Sequence, residues 1–226
     1  MNKDIFSRSV GLLGEETFNL IQNKVIAIFG LGGVGGTALE ALARTGFKHF
    51  TIVDFDKVDA SNLNRQILYT AKDIGRLKVE AAKERLLAIN EEVDIKAFAV
   101  KAQDFDFNQK IDYIVDAIDD VDGKLFILKQ AQERNIPYIM SLGMANRFEP
   151  DKVRIAKLNQ TNNDPLAKKI RYLVKKNGLN TGNVPVVISS ELPQSNEGKL
   201  YSTMMVPSSA GLSIAKYILE CIIVTK

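Results

Sequence analysis

Asp54, Asp56, Asn62, Arg65, Gln66, Lys78 and Asp119 are the residues whose types and spacing suit phosphate chemistry. Arginine and lysine neutralise charge on phosphoryl oxygens, and an acid at the end of a strand can hold Mg²⁺. Upstream runs Gly30-Leu31-Gly32-Gly33-Val34-Gly35-Gly36, a glycine turn of the GxGxxG type. Where such a turn leaves a strand and opens a helix, phosphate oxygens meet backbone N–H groups at the helix N-terminus. Asp54 lies 24 residues beyond Gly30, where a carboxylate accepts hydrogen bonds from a ribose hydroxyl. Plainer readings stand beside these: a tight turn packed for its own sake, Arg65 paired with a surface acid, Lys78 on a solvated helix face. An adenine-nucleotide site leaves two chemistries open, hydride transfer as an NAD(P)-dependent oxidoreductase or activation of a carboxylate by ATP. The density of acids and cations between Asp54 and Gln66 favours the second, because a dehydrogenase has little use for them there.

These groups need a scaffold, and the hydrophobic pattern supplies one. Residues 24–29 form an apolar run without alternation, which predicts a buried strand entering the glycine turn. Leu39, Leu42 and Ala43 follow at helical spacing, and Phe50 to Asp54 predicts a second buried strand. Together they make one right-handed crossover unit. The alternation continues with a helix over 75–90, strands over 94–100 and 113–116, a helix over 124–134 and a strand over 137–142. The expected fold is therefore α/β, a doubly wound Rossmann-like parallel sheet.

The last third reads differently. Strands over 153–158, 184–188 and 199–205 lack crossover helices, which predicts a mixed or antiparallel extension of the sheet. Asp164 as N-cap, Pro165 at the first helical position and Gly178 as a stop punctuate a helix over 166–177. Residues 210–224 predict a core-packing helix, short of the ~20 residues that span a bilayer. Ser208 and Ser209 read as its caps, and Met204-Met205-Val206 as strand core. One domain is expected, with a nucleotide-binding core over 21–145 between an N-terminal arm and helix (1–20) and the extension (146–226).

Composition narrows the class. With 226 residues, 46% hydrophobic and 25% charged, the chain can build a sizeable core, which excludes disorder as its main state. A lone cysteine, Cys221, excludes an internal disulfide, a four-cysteine zinc site and a CxxC redox pair, and its apolar surroundings predict a packed thiol. The polar start Met1-Asn2-Lys3-Asp4 shows no secretory signal, so a cytoplasmic location is expected. His49, the only histidine, reads as a surface residue.

The set Gly30-x-Gly32-Gly33-x-Gly35, Asp54-x-Asp56, Ser61-Asn62-x-x-Arg65-Gln66, Lys78 and Asp119 resembles the ubiquitin-activating-type adenylation fold of the ThiF and MoeB superfamily. The likeness extends over Phe6-Ser7-Arg8, the segments 12–15, 40–46 and 64–67, and Asp164-Pro165-Leu166-Ala167. The last motif points to the branch that acts on threonylcarbamoyladenosine in tRNA. The resemblance implies that Asp54 holds the ribose, Arg65 and Lys78 the phosphates and Asp119 magnesium, with Asn62 and Gln66 lining the same site. It implies a homodimer in which Arg8 reaches the neighbouring subunit's ATP, and a link to sulfur or cysteine desulfurase proteins. The paired zinc cysteines and thioester cysteine of many relatives are missing, so a chemistry without a protein thioester is required. ATP-dependent adenylation of the threonyl carboxylate followed by cyclisation fits. The alternative is ThiF- or MoeB-like adenylation of a sulfur-carrier or ubiquitin-like tail.

A tRNA substrate should leave an electrostatic trace. Advancing about 100° per residue along the capped helix places Lys168, Lys169, Arg171, Tyr172, Lys175 and Lys176 on one arc of roughly 160°. Leu166, Ala167, Ile170, Leu173 and Val174 fall on the other side, and no acid follows Asp164 within the helix. Such a face can grip RNA phosphates and stack on a base, although an ordinary solvated face is the plainer reading. Arg147, Lys152 and Arg154 are candidates to extend it.

Overall fold

The computed structural model describes residues 5–162, 164–194 and 197–224. Met1 to Asp4, Asn163 and the start of the polar loop at Ser195-Asn196 lie outside the described residues. Helices α1 (Ser7–Leu13) and α2 (Glu15–Gln22) precede β1 (Val25–Phe29), α3 (Gly33–Thr45) and β2 (His49–Val53). Then come α4 (Lys78–Ile89), β3 (Asp94–Phe98), β4 (Tyr113–Asp116), α5 (Val121–Glu133) and β5 (Tyr138–Ser141). The chain ends with β6 (Val153–Lys157), α6 (Pro165–Lys176), β7 (Pro185–Ser189) and α7 (Met205–Val224).

The strands form one seven-stranded sheet in the order β3-β2-β1-β4-β5-β7-β6, parallel except for β6, which runs antiparallel to β7. The expected Rossmann-like sheet with an antiparallel extension is present. Strand order reverses between β1 and β4, the topological switch point at which such sheets bind ligands. Register aligns Phe29 with Val53 on one side and with Asp116 on the other, so three strands end level at that crevice. One face of the sheet is covered by α1 to α4 and α7 around Ile28, Leu39, Ile52 and Ile214, and the other by α5 and α6 around Phe29, Ile127, Ile170 and Val186. Cores on both faces explain why the central strands read as unbroken apolar runs.

Three expectations fail in the last third. No strand forms over 199–205: residues 199–204 are irregular, and α7 begins at Met205, five residues earlier than the pattern suggested. Met204 and Met205 are exposed, not strand core, and only Val206 of that trio is buried. Ser208 and Ser209 lie inside the helix instead of capping it; Ser209 donates to the Pro150 carbonyl at 2.9 Å. The early start gives α7 20 residues, long and apolar enough by composition to cross a membrane, but Val206, Ala210, Ile214, Ile218 and Ile222 form an inner face within the protein core.

The second half of the sheet is secured by a charge pair with no solvent exposure. Lys124 Nζ of α5 donates to Asp116 Oδ1 of β4 and to the Ser141 carbonyl of β5, each at 2.8 Å. The Tyr138 hydroxyl donates to the other Asp116 oxygen at 2.6 Å. Both carboxylate oxygens and the ammonium are thus satisfied, which such burial requires. Removing one partner strands the other charge. Lys124→Ala is expected to lower the unfolding free energy in urea by about 3–5 kcal/mol, and combining Lys124→Met with Asp116→Leu should recover much of that loss.

Candidate active site

A cavity of about 740 Å³ opens at the switch point, walled by Gly30, Gly32 and Gly33 of the turn, by Asp54, Phe55 and Asp56 after β2, and by Ala117 to Asp120 after β4. Asn62, Arg65, Gln66 and Lys78 close it from the segment leading into α4. The fold therefore brings together all the proposed nucleotide residues except Gly35 and Arg8. A second cavity of about 390 Å³, between the end of α5 and the 179–185 turn, is lined by Gln132, Tyr138, Asn180 and other uncharged residues, so it offers no cation to balance a phosphate.

The glycine turn owes its shape to close approach. Gly30 has φ +87°, and a side-chain carbon there would lie 2.7 Å from the Ala117 carbonyl oxygen. Gly35 does not line the cavity; it faces back into the turn, where a side-chain carbon would sit on the Gly30 carbonyl oxygen. Its role is to let α3 start hard against β1. Gly32 is the N-cap of α3, with no side chain capping the helix, so the first amides of α3 are left to whatever enters the cleft.

Asp54 holds the turn in place. Its Oδ2 accepts from the Leu31 N–H at 2.7 Å and its Oδ1 from the Asp56 N–H at 2.9 Å. The Tyr69 hydroxyl donates to the Leu31 carbonyl at 2.9 Å, and burial raises its pKa so that it stays a donor. Lys78, expected either at the phosphates or on a solvated face, is buried at the start of α4, 2.8 Å from Asp56 and 4.0 Å from Asp54. Burial pushes the Asp54 carboxyl up from its ordinary value, while the Lys78 charge and the two backbone donors pull it down.

Arg65 has no carboxylate partner among the described residues. Its Nη1 donates to the Ser61 carbonyl at 2.6 Å and to Asn64 Oδ1 at 3.1 Å, which aims the guanidinium and leaves its charge uncompensated. Gln66 is buried in the wall, and its Oε1 has no hydrogen-bond partner, an acceptor waiting for a ligand or water. Asp119 is exposed at the rim. Its neighbour Asp120 caps α5 by accepting from the Gly123 N–H at 2.7 Å, which holds its carboxyl below the usual range. Asp116 ends the strand but is sealed beneath the site against Lys124.

The wall formed by Val100, Lys101 and Gln103 carries no sequence signal, because it comes from the loop after β3 and the single 3-10 turn (Ala102–Asp104) that follows. Lys101 Nζ lies 5.9 Å from the centre of the exposed Phe55 ring, a cation over an aromatic face at the cavity mouth. In all, five carboxylates and three cations line the cavity. Among the described residues no three acids, histidines or cysteines gather into a metal cage.

The basic helix divides as expected, with Ala167, Ile170 and Val174 buried and Lys168, Lys169, Tyr172, Lys175 and Lys176 exposed. Arg171 departs from that set: its Nη1 is turned onto the carbonyl and hydroxyl of Thr161. Arg147 is no surface cation either. It is buried, donates to the carbonyls of Gly143 and Glu191, and lies 3.6 Å from the Asp164 N-cap. Lys152 pairs with Glu149 at 3.8 Å, while Arg154 is exposed on the edge strand. Arg8 is exposed on α1 and does not line its own chain's cavity. His49 opens β2, half exposed, 3.2 Å from Asp94. Cys221 sits beside the Tyr217 hydroxyl on α7, away from the cavity.

Comparison with known proteins agrees with this fold. The ThiF family model matches residues 6–171. The tRNA threonylcarbamoyladenosine dehydratase of Bacillus subtilis is 35% identical over 219 residues, covering 90% of this chain and 86% of that protein. Its counterpart in Escherichia coli is 32% identical over 208 residues, covering 84% of this chain and 76% of that protein. The crystal structure of the E. coli enzyme in complex with ATP superposes with a TM-score of 0.92 at 29% identity, covering 99% of this chain and 95% of that one. A second crystal structure of that enzyme holds AMP.

The balance of forces on Asp54 is measurable. In the free protein its carboxyl should titrate above an ordinary aspartate by carboxyl-carbon NMR. In Lys78→Met it should move higher still, because the opposing positive charge is gone and burial remains.

Proposed function

The chain belongs to the ThiF family, and on that premise we propose that it uses ATP to dehydrate N6-threonylcarbamoyladenosine in tRNA. The carrying observation is the near-complete superposition on a dehydratase in complex with ATP, with the glycine turn, Asp54 and Arg65 walling one cavity. The threonyl carboxylate attacks the α-phosphorus of ATP and pyrophosphate leaves. The neighbouring carbamoyl group then attacks the acyl-adenylate carbonyl, and AMP departs with one of the original carboxylate oxygens. Net loss of water follows.

Each wall of the cavity has a part in this. Asp54 still has lone pairs for a ribose hydroxyl after accepting two backbone donors. The uncapped start of α3 and the uncompensated Arg65 face phosphoryl oxygens, where charge develops as pyrophosphate leaves. Lys78 fixes Asp54 and Asp56 at the nucleoside end and retains donor capacity for a phosphate. Five carboxylates against three cations make a poor home for a naked triphosphate, which fits Mg²⁺ held by Asp119 together with the nucleotide and not by a protein cage. Such an ion supplies neutralisation of phosphoryl charge when bound. The second step needs no cysteine: an intramolecular nucleophile reaches an effective molarity of about 10⁵ M or more. Cys221, packed beside Tyr217, is accordingly a structural thiol.

The proposal includes a homodimer in which exposed Arg8 reaches the partner's nucleotide, and a tRNA contact along Lys168, Lys169, Lys175 and Lys176 with Tyr172. Helix α6 starts beside Gly143, at the edge of the sheet that holds the cavity, and runs back toward the opposite edge. Lys168 stands in the first turn of α6, and Lys175 about 10 Å further along the helix at ~1.5 Å per residue. The buried inner face of α7 supports its reading as a core helix, and the proposal takes the protein as cytoplasmic.

Incubation with ATP and tRNA carrying the modification, followed by mass analysis of the nucleosides, should reveal a product lighter by one water and equimolar AMP. AMP release only in the presence of a ubiquitin-like or sulfur-carrier tail would replace this reading with adenylation of a protein. Arg65→Ala and Asp119→Ala should each slow ATP cleavage by at least ~10²-fold without changing the circular dichroism spectrum. Joining Lys168→Glu to Lys175→Glu should raise the KM for tRNA and flatten its salt dependence, while ATP affinity stays at the wild-type value.

A further inference from the structure

Two large aromatic side chains stand in solvent on loops outside the cavity lining, one between β5 and β6 and one before α7, and neither the fold nor ATP binding accounts for them. Phe148 is 54% exposed and Tyr201 56% exposed. Neither ring packs against another aromatic ring or carries a cation among the described residues. Both are carried on backbone that is unusually well tied down. Asn146, at φ +59°, bonds twice to Tyr201 of the loop opposite: its backbone N–H donates to the Tyr201 carbonyl at 2.7 Å and its side-chain Oδ1 accepts from the Tyr201 N–H at 2.8 Å. Its Nδ2 donates to the Lys199 carbonyl at 2.9 Å. On the other side, the Glu191 carboxylate accepts from the N–H groups of Phe148 and Glu149 at 2.9–3.0 Å. Buried Arg147 sits between these ties, joined to Glu191, Gly143 and Asp164.

The position of this hub is informative. Tyr201 is followed by Ser202, whose carbonyl accepts from Asn64 Nδ2 at 2.8 Å, and Asn64 precedes Arg65 in the cavity wall. Through Asp164 the same hub meets the N-terminus of the basic helix α6. It therefore lies between the cationic helix and the phosphate end of the cavity. Arg154 and Lys199 add exposed cations, and the Glu191 carboxylate is already consumed in capping amides. Rigidly mounted aromatics between a basic track and a reaction cleft match what unpaired bases need, since stacking on a ring tolerates any base and a stiff mount limits the entropy lost on binding.

We propose that Phe148 and Tyr201 form a stacking platform for unpaired nucleobases next to the reacting adenosine, which splays the RNA loop so that its modified base enters the cleft. The proposal rests on the dehydratase reading and names residues that position the RNA without touching the reacting atoms. Stacked bases at this site would account for both exposed rings and for the dense hydrogen bonding behind them.

The test uses the full chain, ATP and an anticodon stem-loop carrying threonylcarbamoyladenosine. Phe148→Ala and Tyr201→Ala should each raise the KM for RNA by about tenfold, with ATP affinity measured without RNA unchanged. Tyr201→Phe should keep wild-type KM and Tyr201→Leu should not, a difference that apolar contact alone would not produce. Because the chain has no tryptophan, Tyr201→Trp installs a single emitter whose fluorescence should be quenched by the stem-loop and not by a blunt duplex of equal length. Wild-type KM in both alanine variants, or Tyr201→Leu behaving as Tyr201→Phe, overturns the platform while conversion by the wild type leaves the dehydratase reading intact. A shift of the alanine variants to a smaller sedimenting species at unchanged RNA affinity assigns the rings to a contact between copies of the chain and likewise overturns it. If the wild type binds the stem-loop but converts nothing, the reaction assignment fails, and the quenching and binding losses still decide the platform. Failure of the wild type to bind the stem-loop overturns both.

Discussion

A carboxylate removed from water at the end of β2 determines the shape of the nucleotide cleft. Asp54 spends one oxygen on the Leu31 amide of the glycine turn and the other on the Asp56 amide of its own loop, with Lys78 supplying the opposing charge. Desolvation raises the pKa of such a group, and the backbone donors and the Lys78 cation oppose that rise in favour of the anion. The result is a turn already held open when nucleotide arrives. Ordering it does not have to be taken from the binding energy, which is the benefit of preorganisation.

The neighbouring strand carries the same kind of residue put to a different use. Asp116 ends β4 as Asp54 follows β2, and register brings both strand ends level with Phe29 of β1. Yet Asp116 is closed off by Lys124 and Tyr138, and its contribution is to hold β4, β5 and α5 beneath the loop that carries Asp119. One acid shapes the binding surface and the other the platform under it. What separates them is the helix that meets each strand end: α5 delivers an ammonium sealed beneath the crevice, whereas α4 delivers buried Lys78 into the crevice wall beside Asp54 and Asp56.

In the last third of the chain, local signals and tertiary demands part company. Arg147 and Arg171 both look like surface cations by type, and both are drawn inward to satisfy carbonyl groups of loops that no ladder pairs. Residues 199–204 have strand-like composition but find no sheet edge; Asn146 and Asn64 hold them as an irregular segment. The side chains of Leu200, Tyr201 and Met204 thus face solvent.

How much was legible in the sequence follows from the range of each interaction. Apolar runs, the glycine turn, the Asp164-Pro165 cap and the two-sided composition of α6 act within a few residues, and they were enough for the doubly wound sheet, its crevice and most residues of the nucleotide wall. The ThiF-type motif carried the rest of that inference. Packing between segments distant in sequence decided what no short window contains. Gly35 serves the turn and not the ligand, Lys78 is buried between two acids, the wall after β3 supplies Lys101 and Gln103, and α7 begins at Met205 because Val206 has a core to enter. Periodicity reports which side of an element avoids water, but the partner that satisfies a buried charge or carbonyl is fixed only when the chain has brought its distant parts together.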